Sequence, residues 1–283
     1  IAVIGENATR SMCKAGGSSE LKPKREVSPL EGIKSRFPNA EIIHTMGYAS
    51  GESTYGRVLP STLNADSLTA KALEAAQGAD VVLFIGGLNK SHEQDCEAGD
   101  REGLELPFGQ NELIEKLLAV NPKMALVLVS GNAVAMPWLE KMPSVMQAWY
   151  LGSEAGNAIA DALCGVINPS GKLPVTFPVR LEDNAVHSFV GDKEVYPGDK
   201  DNGYKQVYKE DIYVGYRWHD TKNIAPLFAF GHGLSYTTFV VDKVNAVLKG
   251  DAVRVTATVT NSGTCDGAEV VQVYVGMKES KVE

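Results

Sequence analysis

An excess of positive charge and long apolar runs are both missing from this chain. Its 283 residues carry 27 Lys and Arg against 35 Asp and Glu, a formal net charge of −8 at pH 7. That balance argues against a nucleic-acid surface. No stretch reaches the roughly 18 apolar residues that a membrane-spanning helix needs. Cysteine is scarce: Cys13, Cys96, Cys164 and Cys265 are scattered, with no CxxC pair and no metal-ligand spacing. Widely spaced cysteines pack as small hydrophobes, so reduced and partly buried thiols are expected.

Common catalytic signatures are missing too. After its first apolar run the chain reads Gly5-Glu6-Asn7-Ala8 rather than GxGxxG, and Glu6 would repel a pyrophosphate. Gly152-Ser153-Glu154-Ala155-Gly156 lacks the residue that separates Gly from Ser in a nucleophile elbow. His44, His92, His187, His219 and His232 form no HxH or HxxxH pair, so neither a metal nor a cofactor is expected. The chain starts inside a strand-like run without Met and is read as a fragment, so a missing leader says nothing about compartment.

What is present is an ordinary globular composition, 44% hydrophobic and 22% charged. Strand and helix patterns alternate to about residue 180. Strands are expected at residues 1–4, 41–44, 80–85, 124–129 and 144–149, and about six in all. Helices are expected from the Ser28-Pro29-Leu30-Glu31 capping signal and over 67–77, 108–118 and 154–163. This order means α/β, with a mostly parallel sheet sandwiched by helices, flavodoxin-like rather than a closed barrel. A long polar loop is expected over 182–211. Beyond Tyr236 the period becomes two: Val253, Val255, Ala257 and Val259 alternate with polar residues, as do Val271, Val273 and Val275. Half-buried strands of an all-β sandwich are expected there, cut short by the remaining length. The expected units are 1–181, 182–235 and 236–283.

Candidate chemistry concentrates where the run Val81-Val82-Leu83-Phe84-Ile85 ends. The loop that follows holds Glu93, Asp95, Glu97, Asp100 and Glu102 at the carboxyl edge of a parallel sheet, where such sheets bind ligands. Glu97, between Cys96 and Ala98-Gly99, suits proton transfer, and Leu104-Glu105-Leu106-Pro107 re-anchors the chain directly. On charge alone a solvated acidic loop with an Asp100–Arg101 pair explains the same residues. Gly16-Gly17-Ser18-Ser19 reads as a tight loop at the same edge, with hydroxyls for a neutral polar ligand, or as a plain surface turn. His92 lies on the Glu97 loop.

Glu97-Ala98-Gly99-Asp100-Arg101, with Leu104–Pro107 and Gln110-Asn111-Glu112-Leu113-Ile114, resembles the second domain of glycoside hydrolase family 3. The likeness extends to Gly16–Ser19, Ala148-Trp149-Tyr150-Leu151-Gly152 and Asn168-Pro169-Ser170-Gly171-Lys172-Leu173-Pro174. It continues through Gly215-Tyr216-Arg217 and Phe230-Gly231-His232-Gly233-Leu234-Ser235-Tyr236. The final alternating segment is similar to the start of a fibronectin type III-like domain.

The resemblance implies retaining hydrolysis of terminal β-D-glycosyl residues by a two-domain enzyme. An N-terminal barrel would supply an Asp nucleophile, and Glu97 the acid/base. Gly16, Gly17, Ser18, Ser19 and His92 would line the substrate side, with Asp100 and Arg101 organising the loop. Ala98 departs from the family's usual Gly, and the barrel is absent from the chain. Glucose is the default sugar and xylose the runner-up; a non-catalytic carbohydrate-binding module is the rival reading. The implied partners are a glycoside, the barrel and, as a candidate, a second copy of the chain. The implied compartment is periplasmic or secreted.

Overall fold

The computed structural model describes residues 1–14, 16–97, 99, 101–189, 208–276 and 279. Its main sheet is built from apolar runs that end at glycine or polar residues. These are β1 (Ala2–Ile4), β2 (Ile43–Thr45), β3 (Val82–Gly87), β4 (Met124–Val129) and β5 (Ser144–Gln147). All neighbours pair in parallel, in the order β2-β1-β3-β4-β5. Among the described residues this sheet has five strands rather than about six. Residues 134–138 run in coil, burying Val134, Met136 and Trp138, and then turn through a short 3-10 helix, Leu139–Lys141.

Both faces of the sheet are covered, and for that reason β3 and β4 are apolar almost throughout. One face packs Ile4, Phe84, Leu126 and Leu128 against α2 (Ala65–Gln77) and α3 (Gln110–Val120). The alternate residues Val3, Leu83, Ile85 and Val127 face Ile33 of α1 (Pro29–Arg36) and Ile159 of α4 (Ala155–Leu163). Glycine lets α1 and α4 approach each other closely. A Cβ on Gly156 would lie 2.0 Å from the Ser28 carbonyl oxygen, and one on Gly32 2.0 Å from that of Gly156.

Helix starts follow local chemistry. Ser28 and Glu31 form the expected capping box, Glu31 N–H donating to Ser28 Oγ at 3.3 Å and Ser28 N–H to Glu31 Oε2 at 2.8 Å. Helix α2 begins before residue 67 because Asn64 caps it, accepting from Ser67 N–H at 2.8 Å. Helix α3 begins after residue 108 because Phe108 and Gly109 are both left-handed, with φ of 62° and 68°.

Of the long loop expected over 182–211, residues 190–207 lie outside the described residues. The chain then forms α5 (Tyr216–Lys222) and returns to the sheet unit, where Phe177 N–H donates to the Phe228 carbonyl at 2.8 Å. This return joins two of the sequence motifs. Asn168 Oδ1 accepts from Ser235 Oγ (3.0 Å) and Tyr236 N–H (2.8 Å), and Lys172 Nζ donates to the Gly233 carbonyl (2.6 Å).

The last elements are the antiparallel pair β6 (Phe239–Lys249) and β7 (Ala252–Asn261). Two expectations fail here. Val253, Val255 and Val259 are exposed rather than half-buried. Residues 271–276 form no strand. No helix among the described residues is long and apolar enough to cross a membrane. Cys13 and Cys96 are buried, Cys164 is half-buried and Cys265 exposed, and none is in a disulfide.

Candidate active site

The strand order reverses between β1 and β3, and the loops leaving those two strands stand at the carboxyl edge of the sheet. That is the ligand-binding position of open parallel sheets. The loop after β1 carries Gly16–Ser19 and the loop after β3 carries Glu97, and here the two meet. Ser18 N–H donates to Glu97 Oε2 at 2.7 Å, and Glu97 N–H to the Gly16 carbonyl at 3.4 Å.

Both glycines are required where they stand. Gly16 has φ 85° and Gly17 φ 73°, a region that disfavours other residues. A Cβ on Gly17 would also lie 2.6 Å from Glu97 Oε2 and 2.9 Å from the Tyr55 ring. Lys90, buried at the end of β3, runs its stem past Gly16 and donates from Nζ to the Ser19 carbonyl at 2.8 Å. Behind Tyr55 opens a cleft of about 580 Å³ lined by Lys14, Lys22, Lys24, Arg25, Glu20 and Glu26 among others.

Glu97 sits in a tight turn closed by the Gly99 N–H donating to the Cys96 carbonyl at 3.3 Å. The His92 ring packs against that turn. A Cβ on Gly99 would lie 2.2 Å from His92 Nδ1, and that nitrogen is buried without a hydrogen-bond partner among the described residues. Arg101 donates to Asn132 Oδ1 and, at 2.8 Å, to the Ala133 carbonyl. Burial pushes its pKa down while the Asp95 charge opposes the shift. Asp100 lies outside the described residues.

The rest of the loop is stapled at its ends. Gln110, fully buried, accepts from Gly87 N–H at 2.8 Å and donates to the Gly87 carbonyl at 2.7 Å. Ala135 N–H donates to the Leu104 carbonyl at 2.7 Å, which is the expected re-anchoring. Asp95 is engaged by Gly131 N–H, Asn132 Nδ2 and Tyr150 Oη at 2.6, 3.0 and 2.8 Å. Those bonds set it apart from Glu97 as an acid candidate. Glu93 and Glu102 are exposed on the loop.

Electrostatics of the chain by itself run opposite to what a general acid needs. The Ser18 backbone N–H, followed by the Ser18 side chain, holds the exposed Glu97 carboxyl below its ordinary value of 4.5. A depressed folded-state pKa means that the Glu97–Ser18 tie contributes above the unfolded pKa and is lost as pH falls through the folded one. A carboxyl-carbon NMR titration of this chain is therefore expected to place Glu97 below an ordinary glutamate. Titration at or above the ordinary value would contradict the geometry.

Sequence reading missed Lys90, Tyr55, Gly131 and Asn132, which fall in no recognisable spacing, and it placed Tyr150 in a motif without its bond to Asp95. Among the described residues no three His, Cys, Asp or Glu side chains are placed to hold a metal.

Residues 1–216 match the family model described as the glycosyl hydrolase family 3 C-terminal domain. This chain belongs to glycosyl hydrolase family 3. It is 50% identical over 288 residues to the beta-glucosidase BoGH3A of Bacteroides ovatus, covering all of this chain and 38% of that protein. It is 43% identical over 283 residues to a probable beta-glucosidase I of Aspergillus terreus, covering 97% of this chain and 31% of that protein. The family 3 chain thus spans about a third of the length of these relatives. Among solved structures it resembles the GH3 beta-glucosidase of Bifidobacterium adolescentis, with TM-score 0.79 and 33% identity over 100% of this chain and 40% of that one. It also resembles DesR, a beta-glucosidase from Streptomyces venezuelae in complex with D-glucose, with TM-score 0.79 and 27% identity over 93% of this chain and 44% of that one.

Proposed function

We propose that this chain is the acid/base-bearing part of a retaining β-glucosidase that removes terminal non-reducing β-D-glucosyl residues. The observation that carries the reading is the meeting of Glu97 with Gly16–Ser18 at the β1/β3 switch point. The beta-glucosidase names of the relatives support glucose over xylose.

In the proposed reaction a carboxylate nucleophile on an N-terminal barrel attacks the anomeric carbon. Glu97 gives its proton to the departing oxygen, and the glycosyl ester forms as the C–O bond breaks. Glu97 then takes a proton from the water that cleaves the ester, which restores both carboxyls. For the first step Glu97 must be protonated, which the chain alone does not favour. A barrel carboxylate about 5–5.5 Å away, together with burial under the barrel, would raise its pKa.

The domain division 1–181, 182–235 and 236–283 is part of the proposal, supported by the change from parallel to antiparallel sheet.

Proton NMR of the first sugar released from a β-glucoside by the full-length protein tests the reading. β-Glucose should appear first and mutarotate afterwards. First-formed α-glucose would exclude retention, and binding of glucosides with no turnover would favour the carbohydrate-binding module.

A further inference from the structure

Glu97 is flanked by two residues whose side chains turn back to one place. Asp95, two positions before it, accepts from Asn132 Nδ2 at 3.0 Å. Arg101, four positions after it, donates to Asn132 Oδ1. One amide thus ties together the rising and the descending arms of the loop. We propose that Asn132 is a positioning residue for Glu97, closing the base of the loop and so setting where the carboxyl stands. The proposal rests on the reading of Glu97 as the acid/base.

Only an amide of this length serves both arms at once. Asp95 is an acceptor and Arg101 a donor, so the residue between them must present a donor on one side and an acceptor on the other. A carboxylate would serve Arg101 but repel Asp95, and a hydroxyl would reach one arm. On the descending arm, Arg101 has little else to hold it. Arg101 Nη1 is buried without a hydrogen-bond partner among the described residues, which leaves Nη2 on Asn132 and the Ala133 carbonyl.

Asp95's other partners belong to the same anchor. They are Gly131 N–H at 2.6 Å and Tyr150 Oη at 2.8 Å. Burial and the Asp95 charge push the Tyr150 pKa up, so its phenol stays protonated and keeps donating.

The anchor is itself rigid, although Asn132 stands at the surface. Ser130, fully buried at the end of β4, donates from Oγ to the Asn132 carbonyl at 2.8 Å. Gln147 at the end of β5 donates to Ser130 Oγ at 3.0 Å and to its carbonyl at 3.2 Å. Gly131 admits the network, since a Cβ there would sit 3.3 Å from the Tyr150 ring and 3.4 Å from Asp95 Oδ2. Two adjacent strand ends therefore hold the amide, and the amide holds the loop. Support of this kind decides whether a proton donor stands within reach of its oxygen, and a misplacement of about 1 Å can cost about 10²-fold.

The test uses the full-length protein and two substrates, a glucosyl disaccharide and a dinitrophenyl glucoside. The disaccharide needs the proton at the first step; the dinitrophenyl glucoside does not. Asn132→Ala should lower kcat on the disaccharide by about 10-fold to 10²-fold at similar KM. The first-step rate on the dinitrophenyl glucoside should stay within about twofold. Asn132→Asp, with the same shape and no donor toward Asp95, should do the same and serves if Asn132→Ala is not recovered folded. A merely structural role would lower the melting temperature or the active fraction and reduce both substrates alike. An unchanged ratio between the two substrates in both variants overturns the proposal. Glu97→Gln runs in the same series: if it lacks the leaving-group selectivity, the reading of Glu97 fails, and if it alone shows it, only the role of Asn132 fails.

Discussion

Glu97→Gln in the full-length protein is expected to lower turnover of disaccharides and alkyl glucosides by about 10²–10⁴-fold. The amide has nearly the shape of the carboxyl and can still accept from Ser18 N–H, so the loop should keep its place. What it loses is the transferable proton. An alkoxide leaving group depends on that proton, whereas a dinitrophenolate departs without it, so activated aryl glucosides should keep their first-step rate. The second step then becomes limiting for them, because the amide cannot deprotonate water, and a burst of phenolate followed by slow turnover should be seen. Steady-state and burst kinetics on the two substrate classes check this. Unchanged disaccharide turnover would remove Glu97 from the chemistry.

Gly5→Ala is expected to have the largest effect on stability. Gly5 lies at the end of β1 with φ 126° and ψ 140°, a conformation open in practice to glycine alone. Its missing side chain also faces backbone. A Cβ there would lie 2.0 Å from the Ile85 carbonyl oxygen in β3. Strain of about 1–3 kcal/mol and overpacking of about 1–3 kcal/mol act together, so a loss of at least about 2 kcal/mol is expected. Because β1 and β3 form the switch point, the Gly16–Ser19 loop should loosen as well. Gly171→Ala is the control, with open space around it and an ordinary backbone. Denaturant midpoints of the two variants check the contrast, and a Gly5→Ala midpoint equal to that of the parent would contradict it.

Local physics made much of the fold legible in the sequence. β3 and β4 show as uninterrupted apolar runs because both of their faces are buried, and α1 shows because Ser28 and Glu31 satisfy each other within four residues. The start of α3 was set by a left-handed Phe108, which no pattern announces. The alternation in β7 correctly marks a strand, but alternation says that one face is apolar and not what covers it.

The candidate site divides in the same way. Glu97 could be singled out from its loop and its motif. Its pairing with Ser18 spans 79 positions, and the pairings of Asp95 with Gly131, Asn132 and Tyr150 span 36, 37 and 55. Contacts of that range follow from the strand order 2-1-3-4-5, which brings the exits of β1, β3, β4 and β5 to one edge. Arg101 binds Asn132 and Ala133, because the exit of β4 lies beside that of β3.

The central claim, that Glu97 is the acid/base of a retaining glucosidase, is tested most directly with azide. In full-length Glu97→Ala the glucosyl–enzyme ester formed from a dinitrophenyl glucoside lacks its general base. Azide needs none, and would attack from the face that water uses. The account predicts that azide accelerates turnover and that the product is β-glucosyl azide, identified by proton NMR. Turnover indifferent to azide, with glucose as the sole sugar product, would contradict it.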